Sequence, residues 1–372
     1  MCPLVSDTQG PCYQTLQIEL TSRCNLSCRT CLRAVPDIEL QEQDLGFSAL
    51  QQLQPALQRT ASVHLQGWGE SMLLDDLVER IRWFRSQGCK VSFTTNGSLM
   101  STGQASQLVS SGLDSITFSM AGATAGTQDS LRGEGTHAKL RKSLQLLQKT
   151  KQEQGSITPA LAVSYLLTPE TIEELPQAVK QCRSLGLRLF AGVHLTHAAT
   201  EQQKTMCIYS HLKEQRFRQI IRRAYWQAFL GRMQLQLPLF QPDLTPVCDK
   251  KPLAGCFIAA DGSVAPCVFL YPPTADGQEK WFTFSGELPV PRKRFGTLNE
   301  DSLDRIWQSS DYRAFRKPFQ RRLEVYEREM AKVGLGMDAL QRLERAKNHI
   351  CKAFLNLPVP ECCSSCPKME GF

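Results

Sequence analysis

The chain has 372 residues, enough for about two domains of ~150 residues. Its 42% hydrophobic, 21% charged and 8% aromatic residues exclude wholesale disorder and a collagen-like repeat. The net charge of +7 is modest, so a nucleic-acid partner is not expected, and with no 18-residue apolar run and a mean hydropathy of −0.27 neither is a membrane span.

The N-terminus, MCPLVSDTQGPCYQ, lacks a basic stretch followed by an apolar run, so no secretory leader is expected and cytoplasmic residence is. Residues 1–15 read as an extension. From 16 to 195 strands and helices alternate with a period near 30 residues. Leu16–Thr21 reads as a strand followed by a Cys-rich loop, Phe47–Arg59 as a helix and Ala61–Gln66 as a strand. Asp75–Gln87 reads as a helix, Lys90–Thr95 as a strand and Thr102–Ser110 as a helix. Asp114–Met120 is then a strand and His137–Gln152 a helix. Ala160–Leu167 is a strand, Glu170–Leu185 a helix closed by Gly186, and Leu187–Leu195 a sixth strand. Such repeats with right-handed crossovers predict an α/β fold around a parallel sheet, open or curved towards a barrel. Residues 196–245 read as a helical bridge. In it Leu212–Arg232 carries an apolar stripe of Phe217, Ile220, Ile221, Ala224, Tyr225 and Ala228 opposite Arg216, Arg218, Arg222 and Arg223. Residues 246–372 read as a smaller Cys-rich domain with a charged helical insertion at 319–356.

Fifteen cysteines are an odd number and a large excess for a chain with no expected export signal. Three lie in IELTSRCNLSCRTC, as C-x3-C-x2-C directly after the first strand. Soft thiolates suit iron–sulfur clusters, and Cys24, Cys28 and Cys31 could hold three irons of a 4Fe–4S cube, leaving the fourth open to a non-protein ligand. A zinc site is the alternative, and His64 is the only further ligand close in sequence.

The trio resembles that of the radical S-adenosylmethionine (SAM) superfamily, in which SAM chelates the unique iron. Companion motifs fall at the C-terminal ends of successive strands, the ligand-binding edge of a parallel α/β fold. QGWGES resembles the family's Gly-Gly-Glu motif, which implies SAM contacts from Gly67, Gly69 and Glu70, with Trp68 and Ser71 departing from the pattern. TTNG places Thr95 and Asn96, and FSMAGAT places Ser119, at positions that face SAM in the family. FAGVHL looks like the stretch flanking the adenine, and Thr30 stands where an aromatic is frequent. The implied fold is a partial (β/α)6 radical SAM barrel.

Seven cysteines lie between 248 and 366. Cys248-x13-Gly262-x4-Cys267, the segment FGTLNEDSLDRIWQSSDYRAFR, and Cys363-x2-Cys366 together resemble the SPASM/twitch auxiliary-cluster domains of radical SAM enzymes. A further slot of the fuller pattern falls on Phe372, so one auxiliary 4Fe–4S cluster is expected, with Cys248, Cys267, Cys363 and Cys366 as ligands. Cys256 and Cys362 are the substitutes, and a four-cysteine zinc ribbon is the rival. Cys207 and Cys351 are candidate hydrogen-atom donors.

The resemblance implies reductive SAM cleavage to a 5′-deoxyadenosyl radical, hydrogen abstraction from substrate, an electron-accepting auxiliary cluster, and a flavodoxin- or ferredoxin-type electron donor. A peptide or protein substrate is expected. The alternatives are a small molecule or cofactor precursor under the same chemistry, and a non-enzymatic cluster- or zinc-bearing scaffold.

Overall fold

A computed structural model describes residues 10–208, 215–274, 280–283, 286–290 and 292–372, with backbone alone at 215, 216 and 283. Seven parallel strands run side by side in sequence order: β1 (Tyr13–Ile18), β2 (Thr60–Leu65), β3 (Lys90–Thr95), β4 (Ser115–Met120), β5 (Ala160–Leu167), β6 (Leu189–His194) and β7 (Gln234–Gln236). The first six match the expected strands within three residues at each end. β7 lies inside the segment read as a helical bridge. Its three residues, QLQ, carry too short an alternation to stand out in sequence.

Strand periodicity of two divides the sheet into two faces. Leu16, Ile18, Val63, Leu65, Val91, Phe93, Ile116 and Phe118 are fully buried against the helices. The intervening positions are polar and half-buried: Gln17, Ser62, His64, Ser92, Thr94, Thr117, Ser119 and Ser164. The register sets Gln17 beside His64 and His64 beside Ser92, so these side chains line the concave face. His64 is held there by Ser92, Gln66 and Thr94 and is not directed to the cysteine loop.

The helices follow the crossovers. The expected helix Phe47–Arg59 is two short ones, α1 (Phe47–Gln51) and α2 (Gln54–Leu57), because Pro55 has no N–H to continue a helix and sits in a new first turn. α3 (Leu77–Ser86) and α4 (Thr102–Ser110) lie where expected, the latter behind a capping box of Ser101 and Gln104. α5 (Ala125–Arg132) has no counterpart in the sequence expectation; its AGTQDSLR sequence is short with one large apolar residue, Leu131, and the Thr124 side chain caps it. α6 (Thr136–Glu153) matches. In place of Glu170–Leu185 there is a 3-10 turn, Thr171–Glu174, leading into α7 (Leu175–Ser184) with Pro176 in its first turn.

In the bridge, α8 (Glu201–Thr205) precedes α9 (Gln215–Leu230). Residues 212–214 and the Arg216 side chain lie outside the described residues. Phe217, Ile220, Ala224 and Ala228 are buried as the stripe predicts, whereas Tyr225 is exposed, as are Trp226, Phe229 and Leu230.

The Cys-rich region is not a separate layer. Its strand β8 (Phe257–Ile258) pairs in parallel with β1, and β9 (Ser263–Ala265) and β12 (Gly296–Thr297) extend the same ten-stranded sheet. β10 (Lys280–Thr283) and β11 (Gly286–Pro289) form a small hairpin. The helical insertion begins earlier than 319. After α10 (Leu303–Gln308), α11 (Ser310–Met330) runs through Pro318, held by buried Phe315 and Phe319 on either side, and α12 (Ala339–Leu355) returns against it. No helix among the described residues is long and apolar enough to cross a membrane.

Candidate active site

The first three cysteines occupy the loop that leaves β1, on the edge where the parallel strands end. All three thiols are partly exposed and none is in a disulfide. The loop is pinned from several sides. The Arg29 N–H donates to the Leu131 carbonyl at 2.9 Å, and the Gln203 amide of α8 donates to the carbonyls of Arg29 and Cys31 at 2.9 and 3.0 Å. Gln203 is buried and its own carbonyl accepts from the Ala199 N–H, so it can face only one way. Arg33 donates to the Ser22 carbonyl and pairs with Glu42 at 2.5 Å. Sequence periodicity gave no signal for Gln203, which acts from a five-residue helix 172 residues after Cys31.

Behind the loop stands Glu70, fully enclosed at the end of the turn after β2. Its carboxylate accepts from the Thr95 hydroxyl at 2.9 Å, the Asn96 N–H at 2.7 Å and the Met72 N–H at 3.1 Å. Its own N–H donates to the Arg23 carbonyl, one residue before Cys24. Burial raises the Glu70 carboxyl, and these hydrogen bonds oppose the shift. The Asn96 amide donates to Asn25, between the first two cysteines, at 2.9 Å. The ends of β2 and β3 are thus tied to the cysteine loop. Gly69 is required by close approach, since a Cβ there would collide with the carbonyls of Thr21 and Arg23. At Gly67 a Cβ would strike the Glu19 side chain. Ser119 lies half-buried at the end of β4, beside Ser164 in register.

Arg132, at the end of α5, has no counterpart in the sequence expectation. Its Nε is buried with no hydrogen-bond partner among the described residues, and its charge acts on Cys31 and Glu70. Burial raises the Cys31 thiol, and Arg33 and Arg132 pull it down. Burial likewise pushes Cys24 up to about 11. Three thiols beside two guanidinium groups form a soft donor set with positive charge around it, which fits an anionic iron–sulfur cluster.

The later cysteines gather from three segments around a cavity of about 800 Å³. Cys248, Cys267, Cys362, Cys363 and Cys366 line it, with Lys250, Lys293 and Lys368. Cys267 interacts electrostatically with Cys248 and Cys366, and Cys363 with Cys267 and Cys366. Cys362 and Cys363 hydrogen-bond each other, which lowers the Cys362 thiol and raises its buried neighbour. Several thiols under three ammonium groups again fit an anionic cluster. Among the described residues no three His, Cys, Asp or Glu side chains group as around one metal ion. In a cubane each thiolate meets its own iron, so the ligands stand apart. Cys256 lies immediately before β8, buried beside Tyr13, Tyr312 and Arg316, and burial pushes its thiol up to about 12. Cys207 is buried in an apolar cluster with Ala121, Leu131, Leu166 and Leu195, and Cys351 is exposed on α12.

Trp68 joins the two regions. Its backbone N–H donates to Glu19 at 2.6 Å, and its indole N–H to the Val268 carbonyl, next to Cys267, at 3.2 Å. The ring stacks on Trp281 at 6.2 Å and meets Phe269 edge-on. Glu19, pushed up to about 7 by burial, also accepts from Ala260 of the Cys-rich region. The aromatic side chain that departs from the Gly-Gly-Glu pattern is therefore a contact between the domains.

Fold and cysteine placement define a partial parallel α/β barrel with a Cys-rich cap continuous with its sheet. A family model of the radical SAM superfamily matches residues 18–182, and one of the SPASM iron–sulfur cluster-binding domain matches 248–329. The chain belongs to the radical SAM superfamily and carries a C-terminal SPASM domain. It is 25% identical over 305 residues to the tungsten-containing aldehyde ferredoxin oxidoreductase cofactor-modifying protein of Pyrococcus furiosus, covering 81% of this chain and 82% of that one. Mycofactocin maturase MftC of Mycobacterium ulcerans is 30% identical over 130 residues, 35% of each chain. Among solved structures, native anSMEcpe with bound AdoMet aligns with a TM-score of 0.62 at 16% identity, over 82% of this chain and 84% of that one. Streptococcus suis SuiB bound to S-adenosylmethionine aligns at 0.58 and 14% identity; the match covers 80% of this chain and 66% of SuiB.

Proposed function

We propose that the chain is a radical SAM maturase acting on a peptide or protein segment, with Cys24, Cys28 and Cys31 holding the SAM-binding 4Fe–4S cluster. Cys248, Cys267, Cys363 and Cys366 hold one auxiliary 4Fe–4S cluster, with Cys362 and Cys256 as substitutes. When bound, these groups supply reductive cleavage of SAM, the hydrogen-abstracting 5′-deoxyadenosyl radical, and an acceptor for the electron left on substrate. The single observation that carries the reading is the fixed triangle of cysteine loop, buried Glu70 and Arg132 on the strand-end edge.

The chain's own residues bind and orient. Gly67 and Gly69 let the backbone approach the ligand, and Glu70, with Thr95 and Asn96 fixing its carboxylate, faces the SAM amino group. Arg132, with its unpaired Nε, faces the SAM carboxylate, and Ser119 supplies a further polar contact. The concave face offers Gln17, Ser62, Ser92, Thr94, Thr117 and Ser164, all uncharged, half-buried and able to hydrogen-bond. Such a wall suits peptide amides. A flavodoxin- or ferredoxin-type donor in the cytoplasm supplies the reducing electron.

A second reading, a cofactor precursor as substrate, is favoured by the likeness to the Pyrococcus cofactor-modifying protein, which covers 81% of this chain and 82% of that one. One experiment separates the two. Anoxically reconstituted protein is given SAM, dithionite and extract of uniformly deuterated cells, divided into peptide and small-molecule fractions. Deuterium in 5′-deoxyadenosine is expected with the peptide fraction. Transfer from the small-molecule fraction alone establishes the second reading, and no 5′-deoxyadenosine at all rejects both.

A further inference from the structure

Among the residues that line the cavity of the C-terminal cysteines without being thiols is His197, three residues past the end of β6. It comes from the barrel side of the molecule. Its ring lies flat on Phe269, with centroids 3.7 Å apart and planes 9° apart, and meets Trp281 edge-on at 5.5 Å. With Phe269 on one face and Trp281 across an edge, the imidazole has little freedom to turn. Its Nδ1 is 2.9 Å from the Thr196 hydroxyl, and its Nε2 is 3.5 Å from the Cys366 sulfur.

These contacts fix what Nε2 can do. When the Thr196 hydroxyl donates to Nδ1, the ring proton resides on Nε2 and points at Cys366. The imidazolium carries a proton on Nε2 as well, so the donor survives either charge state. The opposite tautomer, with Nδ1–H donating to Thr196, would instead aim an Nε2 lone pair into the cavity and make the ring a cluster ligand. Cys366 already belongs to a four-thiol set that can close the site, which favours the first arrangement.

We propose that His197 is a positioning and tuning residue of the auxiliary cluster, donating an Nε2–H···S hydrogen bond to Cys366 and thereby raising the cluster's reduction potential. The reduced cluster bears one more negative charge than the oxidised one, so a donor at the ligand sulfur stabilises the reduced form more. A residue at the end of a barrel strand would in this way set the driving force for electron acceptance in the neighbouring domain. The proposal rests on the four-cysteine assignment made above.

The test is an EPR-monitored redox titration of the reconstituted full chain, with iron counted on the same samples. Wild type should bind about eight irons, the sum of two cubanes. His197→Phe should keep all eight and shift only the auxiliary signal to lower potential. His197→Gln, whose amide N–H can still reach Cys366, should recover most of the shift. An unchanged auxiliary potential in His197→Phe, with eight irons bound, overturns the proposal and leaves the cluster assignment standing. Loss of about four irons in both His197→Phe and His197→Gln would make the ring a ligand and also overturns it. A wild type that binds only four irons removes the auxiliary cluster, and the proposal with it. Unaltered SAM cleavage by the first cluster reports that the variants are folded.

Discussion

The two cysteine regions meet one chemical requirement by opposite means. The first places three thiols on a single eight-residue stretch and holds the stretch through its backbone with Gln203, Leu131 and Glu70 as anchors. The second draws its thiols from segments near 248, 267 and 363, which the packing of the C-terminal region gathers around a cavity of about 800 Å³. A local loop with external anchors leaves one side of the site open. A site assembled from distant segments has a thiolate to offer from each of several directions. The contrast accords with ligand activation at the first and electron storage at the second.

The largest expected effect breaks this contrast outright. Replacing Cys24, Cys28 and Cys31 by Ala should abolish 5′-deoxyadenosine formation under dithionite. Cys267→Ser should remove about four irons yet leave SAM cleavage within about tenfold while product formation is lost. Equal loss of SAM cleavage in both variants would mean that the regions do not divide the work.

Gln203→Leu sharpens the comparison at the first site. It leaves two carbonyls of the cysteine loop without their buried donor, a loss of about 1–3 kcal/mol. Iron should therefore pass from the first cluster to a chelator several-fold faster, while release from the second is unchanged. The measurement is absorbance-monitored chelation with each cluster assigned by EPR.

The smallest effect concerns Glu174, which organises the loop after β4. Burial pushes its carboxyl up, but hydrogen bonds from the hydroxyls of Thr127 and Thr124 and the N–H groups of Ala123 and Thr124 outweigh this and leave it below the usual carboxylate value. A folded-state value held low gives stability that is present above the unfolded-state value and is lost as pH falls through the folded one. Glu174→Gln should cost about 0.5–1 kcal/mol near neutrality, since the carboxylate is partly exposed and screened by solvent, and the deficit should shrink on acidification. Urea unfolding at several pH values checks this, and a deficit independent of pH would refute it.

Strand order, the cysteine trio and the Gly67–Glu70 turn were legible because each is a local pattern. A period of two marks the strands, and close spacing marks a shared loop. Pro55 and Pro176 are local signals too: each sits in the first turn of a new helix, so the longer helices that periodicity alone predicts are divided there. Other features depend on distant partners. Trp68 looked like a flaw in a motif until Trp281 and Phe269 stood opposite it. Gln203 and His197 are ordinary polar residues in sequence, and only tertiary contact gives them tasks. Arg132 carries no signal of its own, because α5 is eight residues long with Leu131 as its one large apolar side chain. The continuous helix across Pro318 follows from the burial of Phe315 and Phe319, an override no local propensity contains.

The pairing of β8 with β1 has a practical corollary for anyone dividing this polypeptide. A fragment stopping before residue 246 would bare one flank of β1, with peptide groups facing water and free to recruit a neighbouring molecule's backbone. Expressed alone, that fragment should self-associate and precipitate, and supplying the missing half in trans should restore solubility only if it arrives before strangers do.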